Sequence, residues 1–301
     1  MQLIFKEIEE NLKKRNVKTL DLTPNIFTLN PSSQVSYDKN LKPNGSCLRQ
    51  QWFEKTSQDK TNHSSANIIL AQDLGNYWEN WFINELRILD LLVDNQILAT
   101  DRKNLVKGFV DVLTRNKAGE LELGEIKTYD GSNYFKSQSI LGTKSKAPEP
   151  MLSHLLQIFR YLLIYEKQVV AGNIYYIDKS CSAWYKNYQF RVTIFEHKNV
   201  KYPQVECIWY DEYYNKIYDN ISDLNIYKAE QDLLKHIKDS TIPLPSYIPL
   251  YNEEQVEDKY ANNLIYKTSY EKYKKDPVKN YLGDYQCSYC SYRDLCLQLN
   301  E

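Results

Sequence analysis

The sequence predicts an α/β fold, because helical and strand periodicities alternate along the chain. Apolar residues recurring with the helical period mark three helices, and runs of strand-forming residues mark four strands. The first two strands are joined by the turn from Arg115 to Gly119, which predicts a hairpin. The predicted helices cover 66–93, 151–166 and 226–239, and the predicted strands cover 104–114, 119–128, 168–178 and 187–195.

The composition is that of an ordinary globular protein with a sizeable core: 301 residues, 42% hydrophobic and 26% charged. No repeat or low-complexity linker interrupts it, so we predict one domain over 1–301 with a core over about 45–245. The charged, tyrosine-rich stretch 253–275 predicts a helical insertion over about 246–280, followed by a Cys-rich tail over 281–301. With 38 Lys and Arg against 39 Asp and Glu, a polyanionic partner must be met by local basic patches.

The N-terminal sequence MQLIFKEIEENLKKR has neither the apolar segment nor the cleavage site of a signal peptide. The most apolar helical stretch, Met151 to Tyr165, is interrupted by His154, Gln157 and Arg160 and is shorter than the ~20 residues of a membrane span. We therefore expect a cytoplasmic protein, bacterial or in the host cytoplasm if viral, with no membrane partner.

Charged residues continue the apolar faces of the predicted hairpin. Period-2 alternation places Glu125 and Lys127 on the face of Leu123, and Asp111 on the face of Phe109 and Leu113. Burying a carboxylate costs several kcal/mol unless a cation or hydrogen bonds compensate it. A divalent metal between the two acids explains the pattern, and a buried Asp–Lys or Glu–Lys ion pair explains it equally well.

Two predicted helices add polar residues to this picture. On the helix over 66–93, Glu79 shares the stripe of Phe82, Ile83 and Leu86, and Gly75 one turn earlier permits close approach. On the helix over 151–166, one face carries polar side chains opposite a leucine-rich face; they are His154, Gln157, Tyr161 and Tyr165. Gln157 and Tyr161 then face something polar, or else the face is simply solvated.

The six cysteines of an intracellular chain are more typical of thiols or metal ligands than of disulfides. Cys287-x-x-Cys290-x5-Cys296 lies in the tail, and Cys47 lies far upstream. Four thiolates suit either a Zn²⁺ ion or an iron–sulfur cluster. Cys181 and Cys207 fit no ligand spacing, so we expect them to be buried thiols.

The order of these motifs resembles the RecB-type nucleases of the P-D-(D/E)-x-K superfamily. The matching positions, in chain order, are Gly75-x-x-x-Glu79, Asp111, Glu125-Ile126-Lys127 and Gln157-x-x-x-Tyr161. Cys47 before this core and the three cysteines after it resemble the iron–sulfur subgroup, which includes the CRISPR-adaptation exonuclease, the fourth Cas protein, and AddB-type nuclease domains. Val110 stands where the superfamily name has Pro, and Glu79 stands where many members have His.

The resemblance implies a restriction-endonuclease-like core, a mixed central sheet flanked by helices, whose iron–sulfur tail closes onto the N-terminal segment. It implies that Mg²⁺ or Mn²⁺ is held by carboxylate and carbonyl oxygens, namely those of Glu79, Asp111, Glu125 and Ile126. Lys127 would stabilise developing negative charge, and Gln157 and Tyr161 would position the phosphate or water. It favours a 4Fe–4S cluster on the four cysteines, with zinc as runner-up; these are Cys47, Cys287, Cys290 and Cys296.

These implications predict a metal-dependent DNA exonuclease acting on single-stranded ends or overhangs, in recombination, repair or CRISPR-type processing. The resemblance also implies a protein partner from recombination, replication or CRISPR adaptation. The alternatives are an inactive DNA-end-binding module of the same fold and a zinc-stabilised structural protein. Two groups of residues suit a phosphate backbone or solvated loops equally; they are Tyr134, Phe135, Lys136, Lys144 and Lys146, and Lys272, Lys274, Lys275 and Lys279.

Overall fold

The computed structural model describes residues 28–56, 58–60, 66–130, 140–143, 146–181, 187–209, 212–277 and 279–299. The chain divides into two compact units. The first unit comprises Met1–Ser46 and Ser65–Asp232, and the second comprises Cys47–Ser64 and Leu233–Glu301. Whether 1–301 is one domain stays a prediction, but the expected insertion over 246–280 belongs to the second unit together with the Cys-rich tail.

A mixed sheet of seven strands forms the centre of the first unit, with the strands side by side in chain order. Every neighbouring pair is antiparallel except the third and fourth strands of this sheet, Leu121–Tyr129 and Ala171–Asp178, which are parallel. A parallel pair needs a crossover connection, and the helix Leu152–Tyr165 lies in it. The strands are β3 (Leu92–Asp101), β4 (Val106–Arg115), β5 (Leu121–Tyr129), β6 (Ala171–Asp178), β7 (Tyr188–His197), β8 (Val200–Trp209) and β9 (Glu212–Ile217). A separate antiparallel pair consists of β1 (Val35–Tyr37) and β2 (Pro43–Gly45), preceded by a 3₁₀ turn over Pro31–Ser33.

Two helices pack against this sheet through separate apolar clusters. Helix α2 (Ala66–Ile88) contributes Ile83 and Leu86 to a cluster with Val112 and Ile126. Helix α3 (Leu152–Tyr165) belongs to a larger cluster, in which Leu155 and Phe159 are fully buried. The first unit is therefore an α/β fold with a large mixed sheet flanked by helices, as predicted.

The second unit contains short helices. They are α1 (Leu48–Lys55), α5 (Glu253–Ala261), α6 (Lys267–Lys275), α7 (Tyr285–Ser288) and α8 (Arg293–Gln298). Helix α4 (Asp223–Lys238) precedes α5 in the chain, and the boundary between the two units falls within it. A small apolar cluster of Tyr251, Val256 and Tyr273 holds α5 and α6 together. The predicted helical stretch 253–275 is thus two helices rather than one.

The predicted helices and the four predicted strands are all present. The chain turns after α2 and forms β3, so the prediction of helix as far as residue 93 is wrong at its end. The elements that were not predicted are strands β1, β2, β3, β8 and β9 and helices α1, α7 and α8. Within the described part of the chain, no helix is long and apolar enough to cross a membrane.

Candidate functional site

The two acids of the hairpin lie where strands β4 and β5 separate. The ladder between these strands runs from the Arg115–Leu121 pair to the Val112–Gly124 pair, and it ends one residue before Asp111 and Glu125. Beyond that point the Asp111 carboxylate takes the place of a strand partner, because its Oδ2 accepts the backbone N–H of Ile126 at 2.7 Å. The separation of the strands thus opens space for side chains between them.

Glu125 is the buried acid of this pair, with 2% of its surface exposed. Its Oε1 accepts hydrogen bonds from Lys127 Nζ at 2.5 Å and from Gln157 Nε2 at 2.7 Å. Its Oε2 is also buried, and it receives no hydrogen bond from any described residue. The contact with Lys127 confirms that these two side chains share one face of β5, as the period-2 pattern predicted.

The electrostatics of the site are dominated by burial and by the proximity of the two acids. Burial raises the pKa of Glu125 to about 8, with a further rise from the charge of Asp111, and Lys127 opposes both effects. Burial also raises the pKa of Asp111, against the opposing Ile126 N–H and Lys127. Two such carboxylates cannot both be charged at low cost unless a cation lies nearby.

The face of Asp111 differs from the prediction. Phe109 is half exposed rather than buried, whereas Leu113 packs against the large cluster as expected. The apolar stripe on β4 is therefore interrupted, and Asp111 stands between core and surface.

Glu79 approaches this pair from helix α2. Burial raises the pKa of Glu79, the charge of Asp111 raises it further, and Lys127 lowers it. Gly75 lets the helix lie close to β5, since a Cβ there would be 3.3 Å from the Thr128 hydroxyl. The structure thus brings Glu79 into the electrostatic environment of Asp111 and Lys127.

Gln96 is a site residue that the sequence did not reveal. Its Nε2 donates to Glu79 Oε1 at 3.1 Å, and the Gln96 side chain lowers the pKa of Asp111, against the rise caused by burial. Gln96 has a φ of 53°, an uncommon value for a residue within a strand, and this turns its side chain out of the ordinary alternation. No pattern in the sequence marks such a position.

The polar face of helix α3 lies across the sheet instead of facing solvent. Successive residues on it contact successive strands: His154 Nδ1 with Tyr176 on β6, Gln157 with Glu125 on β5, Tyr161 with the Phe109 carbonyl on β4, and Tyr165 with the Leu98 carbonyl on β3. Gln157 and Tyr161 are both buried. The solvated-face alternative is therefore wrong, because the strands accept and donate the bonds that water would otherwise supply.

A hydrogen bond within the protein fixes the position of the Tyr161 hydroxyl. Its hydroxyl donates to the Phe109 carbonyl at 2.7 Å. Gly108 makes this possible, since a Cβ there would lie 3.0 Å from that hydroxyl. Burial, together with the nearby Glu125 carboxylate, raises the Tyr161 pKa well above its usual value, so the phenol stays protonated. Its geometry suits a positioning residue.

The carboxylate site, which we define as Glu79, Asp111, Glu125 and Lys127, offers ligands of the type that Mg²⁺ and Mn²⁺ prefer. The unpartnered Glu125 Oε2 beside Asp111 fits a cation, because a buried carboxylate oxygen is costly without a positive or donating neighbour. Among the described residues, however, no group of three or more His, Cys, Asp or Glu side chains converges closely enough to hold a metal ion. Lys127, at 2.5 Å from Glu125, supplies the positive charge in this arrangement.

A second cluster of chemically active side chains lies within the second unit. One pocket there is lined by all four cysteines that the sequence singled out, Cys47, Cys287, Cys290 and Cys296. All four are free thiols. The segments that carry Cys47 and the tail therefore meet, even though most of the chain separates them in sequence.

Backbone N–H groups donate to two of the sulfur atoms of this four-cysteine pocket. The Ser246 N–H donates to Cys47 Sγ at 3.4 Å, and the Tyr292 N–H donates to Cys290 Sγ at 3.4 Å. Burial raises the pKa of Cys287 to about 12, and the neighbouring Cys47, Cys290 and Cys296 add to this rise. Such thiols are neutral until a metal displaces their protons.

The two remaining cysteines, Cys181 and Cys207, differ in their exposure. Cys207 is a buried thiol, as predicted, and burial raises its pKa. Cys181 is exposed, so the prediction for it is wrong. It lies just after β6, where the chain leaves the sheet, and a φ of 51° at this residue marks the turn.

The two basic groups are only partly described. Tyr134, Phe135, Lys136 and Lys144 lie outside the described residues, whereas Lys146 is exposed. In the other group, Lys274 forms ion pairs with Glu253 and Glu257 on α5. Lys272, Lys275 and Lys279 are exposed. Part of the predicted positive charge is therefore neutralised within the protein.

No protein-family model matches the chain, and no curated protein matches it. Among solved structures, one titled "Crystal structure of SSO0001" aligns with 13% sequence identity and a TM-score of 0.38. The alignment covers 77% of this chain and 86% of that chain. A likeness this weak does not assign the chain to a family.

Proposed function

We propose that the chain is a metal-dependent DNA exonuclease that hydrolyses phosphodiester bonds at single-stranded ends or overhangs. The observation that carries this proposal is the buried Glu125 Oε2, which accepts no hydrogen bond from the residues that the structure describes and lies beside a second carboxylate, Asp111. A buried carboxylate oxygen that accepts no hydrogen bond suggests a ligand or a catalytic role. The sequence order Asp111, Glu125 and Lys127 supports the same choice through its resemblance to RecB-type nucleases.

The ion pair with Lys127 involves only one of the two oxygens of the Glu125 carboxylate, Oε1. Lys127 and Gln157 both bond to Oε1, so they leave Oε2 without compensation. An acid with a purely structural role is normally bonded through both oxygens once it is buried. Because only Oε1 is hydrogen-bonded, we favour a role for Glu125 as a cation ligand over a purely structural ion pair within the hairpin.

In this proposal, Asp111, Glu125 and the Ile126 carbonyl hold Mg²⁺ or Mn²⁺, with Glu79 as a further oxygen ligand. The cation, when bound, supplies Lewis acidity towards water and neutralises negative charge on the phosphate. Lys127 leaves Glu125 to meet the developing charge on the reacting phosphate, for which its long flexible stem is suited. Gln157 keeps Glu125 oriented through its 2.7 Å bond.

We further propose that the first unit is a restriction-endonuclease-like core and that the four-cysteine pocket holds a 4Fe–4S cluster, with zinc as the alternative. All four cysteines line one pocket, and backbone N–H groups donate to two of their sulfur atoms, which supports this assignment, although the four thiols do not yet converge to metal-binding distances in the described structure. A cluster there would tie Cys47–Ser64 to the tail within the second unit. Its loss in Cys290→Ala should give colourless protein, whereas Cys207→Ala should keep the brown colour.

The test is a digestion assay with end-labelled single-stranded DNA, in Mg²⁺ or Mn²⁺, on anaerobically purified protein. Asp111→Asn and Glu125→Gln should abolish cleavage while retaining DNA binding, because each removes a ligand charge without altering side-chain size. Lys127→Ala should lower the rate on the order of 10²–10³-fold, the range for a lost electrostatic donor. Glu120→Gln, an exposed acid in the turn before β5, is the matched control and should cleave like wild type.

A second candidate function is DNA-end binding without hydrolysis. The close Lys127–Glu125 pair favours it, since that pair would block a metal if it persisted. End binding that is unaffected by Mg²⁺ or Mn²⁺, with no cleavage in wild type, would support this candidate and contradict the exonuclease. The labelled RNA strand of the same sequence, assayed in parallel, tests the choice of DNA.

A further inference from the structure

Arg49 lies in the four-cysteine pocket and is buried, with 6% of its surface exposed. Its Nη1 donates to Cys296 Sγ at 3.4 Å, and its Nε donates to the Pro243 carbonyl at 2.8 Å. The guanidinium is thus held from two sides, by a proline carbonyl and by a cysteine sulfur. The planar fork of arginine fixes both directions at once, which a lysine ammonium on its flexible stem does not.

We propose that Arg49 is a positioning and charge-compensating residue for the metal or cluster bound by the four cysteines. This inference rests on the proposed four-cysteine site. Four thiolates around a dication leave two net negative charges in a buried place, and such charge is costly without a compensating cation. The Arg49 guanidinium supplies that cation within hydrogen-bond distance of one ligand sulfur.

The pocket offers a matched comparison in Arg293. Its side chain is also buried, lines the same pocket, and donates to a proline carbonyl, that of Pro249, at 3.2 Å. Its guanidinium stacks on Tyr281, with 3.9 Å from Cζ to the ring centroid, instead of bonding a cysteine sulfur. Arg293 therefore shares the burial and the structural bond of Arg49 but not its bond to a ligand.

The same geometry predicts a specific effect on a bound cluster. Hydrogen bonds to ligand sulfurs and positive charge beside them stabilise the reduced state, which has the greater negative charge. Removal of Arg49 should therefore lower the reduction potential and weaken metal retention. Outer-sphere partners of metal ligands typically contribute about 10–100-fold in affinity.

The experiment measures metal release from full-length, anaerobically reconstituted protein to a chromogenic chelator, for wild type, Arg49→Met, Arg49→Lys and Arg293→Met. We expect Arg49→Met to release metal about 10–100-fold faster, in line with the loss of an outer-sphere partner. Arg49→Lys should fall between Arg49→Met and wild type, and Arg293→Met should stay near wild type. For iron-loaded protein, electrochemical titration should show a more negative potential in Arg49→Met.

The outcomes separate this inference from the proposals on which it rests. Wild type that holds neither iron nor zinc after reconstitution would overturn both the site and the role of Arg49. Wild type that holds metal, with equal release from Arg49→Met and Arg293→Met, would overturn the role of Arg49 alone. If Arg49→Met does not fold, equal release and equal potential in Arg49→Lys and wild type would overturn it. Nuclease activity enters none of these readouts, so failure of the exonuclease proposal is detected separately.

Discussion

Two buried acids in the first unit, Glu230 and Glu125, are bonded in different ways. Glu230 on α4 is fully buried, and Arg160 bonds both of its oxygens, from Nε at 2.7 Å and from Nη2 at 3.1 Å. Gln34 adds a bond to Oε1 at 3.0 Å. Glu125 is almost as buried, but its bonds from Lys127 and Gln157 go to a single oxygen.

The difference separates an acid that is bonded through both oxygens from the acid to which the proposed function assigns a cation. Arg160 and Gln34 oppose the rise in the Glu230 pKa that burial causes, and both oxygens of this acid accept hydrogen bonds. Glu125 has a second acid beside it, Asp111, which adds to the rise. An incomplete set of partners beside a like charge is what a cation site requires before its cation arrives.

The largest expected effect is on the network around Glu230. Arg160→Met leaves Glu230 buried without its cation, and Asp101 loses its bond from Arg160 as well. We expect the free energy of unfolding to fall by about 3–5 kcal/mol, as measured by urea denaturation. The double variant Arg160→Met/Glu230→Leu should recover most of that loss, because it removes the uncompensated charge. A loss below 1 kcal/mol in the single variant would contradict the structural role of the network.

His154 is a buried polar group that differs from both acids, because it stays neutral in the folded protein. The Tyr176 hydroxyl accepts the Met151 N–H, which leaves its own hydrogen to donate to His154 Nδ1. Burial and then the charge of Lys127 lower the His154 pKa to about 3. In the unfolded chain the histidine takes up a proton below about pH 6.5, so folding loses stability as the pH falls from 6.5 towards 3.

We expect this term to reach at most about 1.4 kcal/mol per pH unit in that window. His154→Gln should flatten the dependence of the unfolding free energy on pH below 6.5. Near pH 7.5, histidine is neutral in both the folded and the unfolded state. There the unfolding free energies of wild type and His154→Gln should depend on pH in the same way. Identical slopes below pH 6.5 would show that His154 is protonated in the folded protein.

The carboxylate site should behave in the opposite way to the Glu230 network. Glu125→Gln keeps the shape of the side chain and removes repulsion with Asp111, so we expect metal-free protein to keep its unfolding free energy or gain about 1 kcal/mol. The same variant abolishes cleavage in the proposed function. A loss of stability as large as that of Arg160→Met would place Glu125 among the structural acids.

The sequence was sufficient for the elements that carry strong periodicity. Glu125 and Lys127 on one face of β5, and the apolar stripe of Ile83 and Leu86 on α2, follow from local patterns that tertiary structure left intact. Strand β3 was missed because most of its residues are exposed, which weakens the alternation that marks a strand. Its position at the edge of the sheet is the physical reason.

The sequence revealed site residues only where burying that residue type costs free energy, as with a carboxylate on an apolar face. A carboxylate on an apolar stripe identified Glu79, Asp111 and Glu125 from the sequence. Gln96 carries no charge and reaches the site through an unusual backbone angle, so no pattern marks it. Arg49 could not be recognised either, because its bond to Cys296 joins segments that only the fold brings together.

The smallest expected effect concerns the outer end of the α3 polar face. Tyr165→Phe removes one exposed bond, from the hydroxyl to the Leu98 carbonyl on β3. We expect a loss of about 0.5–1 kcal/mol in the free energy of unfolding and unchanged cleavage, as measured by denaturation and digestion. Tyr161→Phe, the matched buried position, should lose more stability because the Phe109 carbonyl is left without its donor. Equal losses at the two positions would contradict the difference in burial.

The binding of Mn²⁺ to metal-free protein tests the central claim most directly. Calorimetric titration should show a site in wild type and in Glu120→Gln that is absent in Glu125→Gln. A concentration of Mn²⁺ a hundred times the dissociation constant should raise the free energy of unfolding by about 2.7 kcal/mol in the first two proteins only. Equal Mn²⁺ affinity in wild type and Glu125→Gln, or no binding to wild type, would contradict the assignment of Asp111 and Glu125 as a cation site.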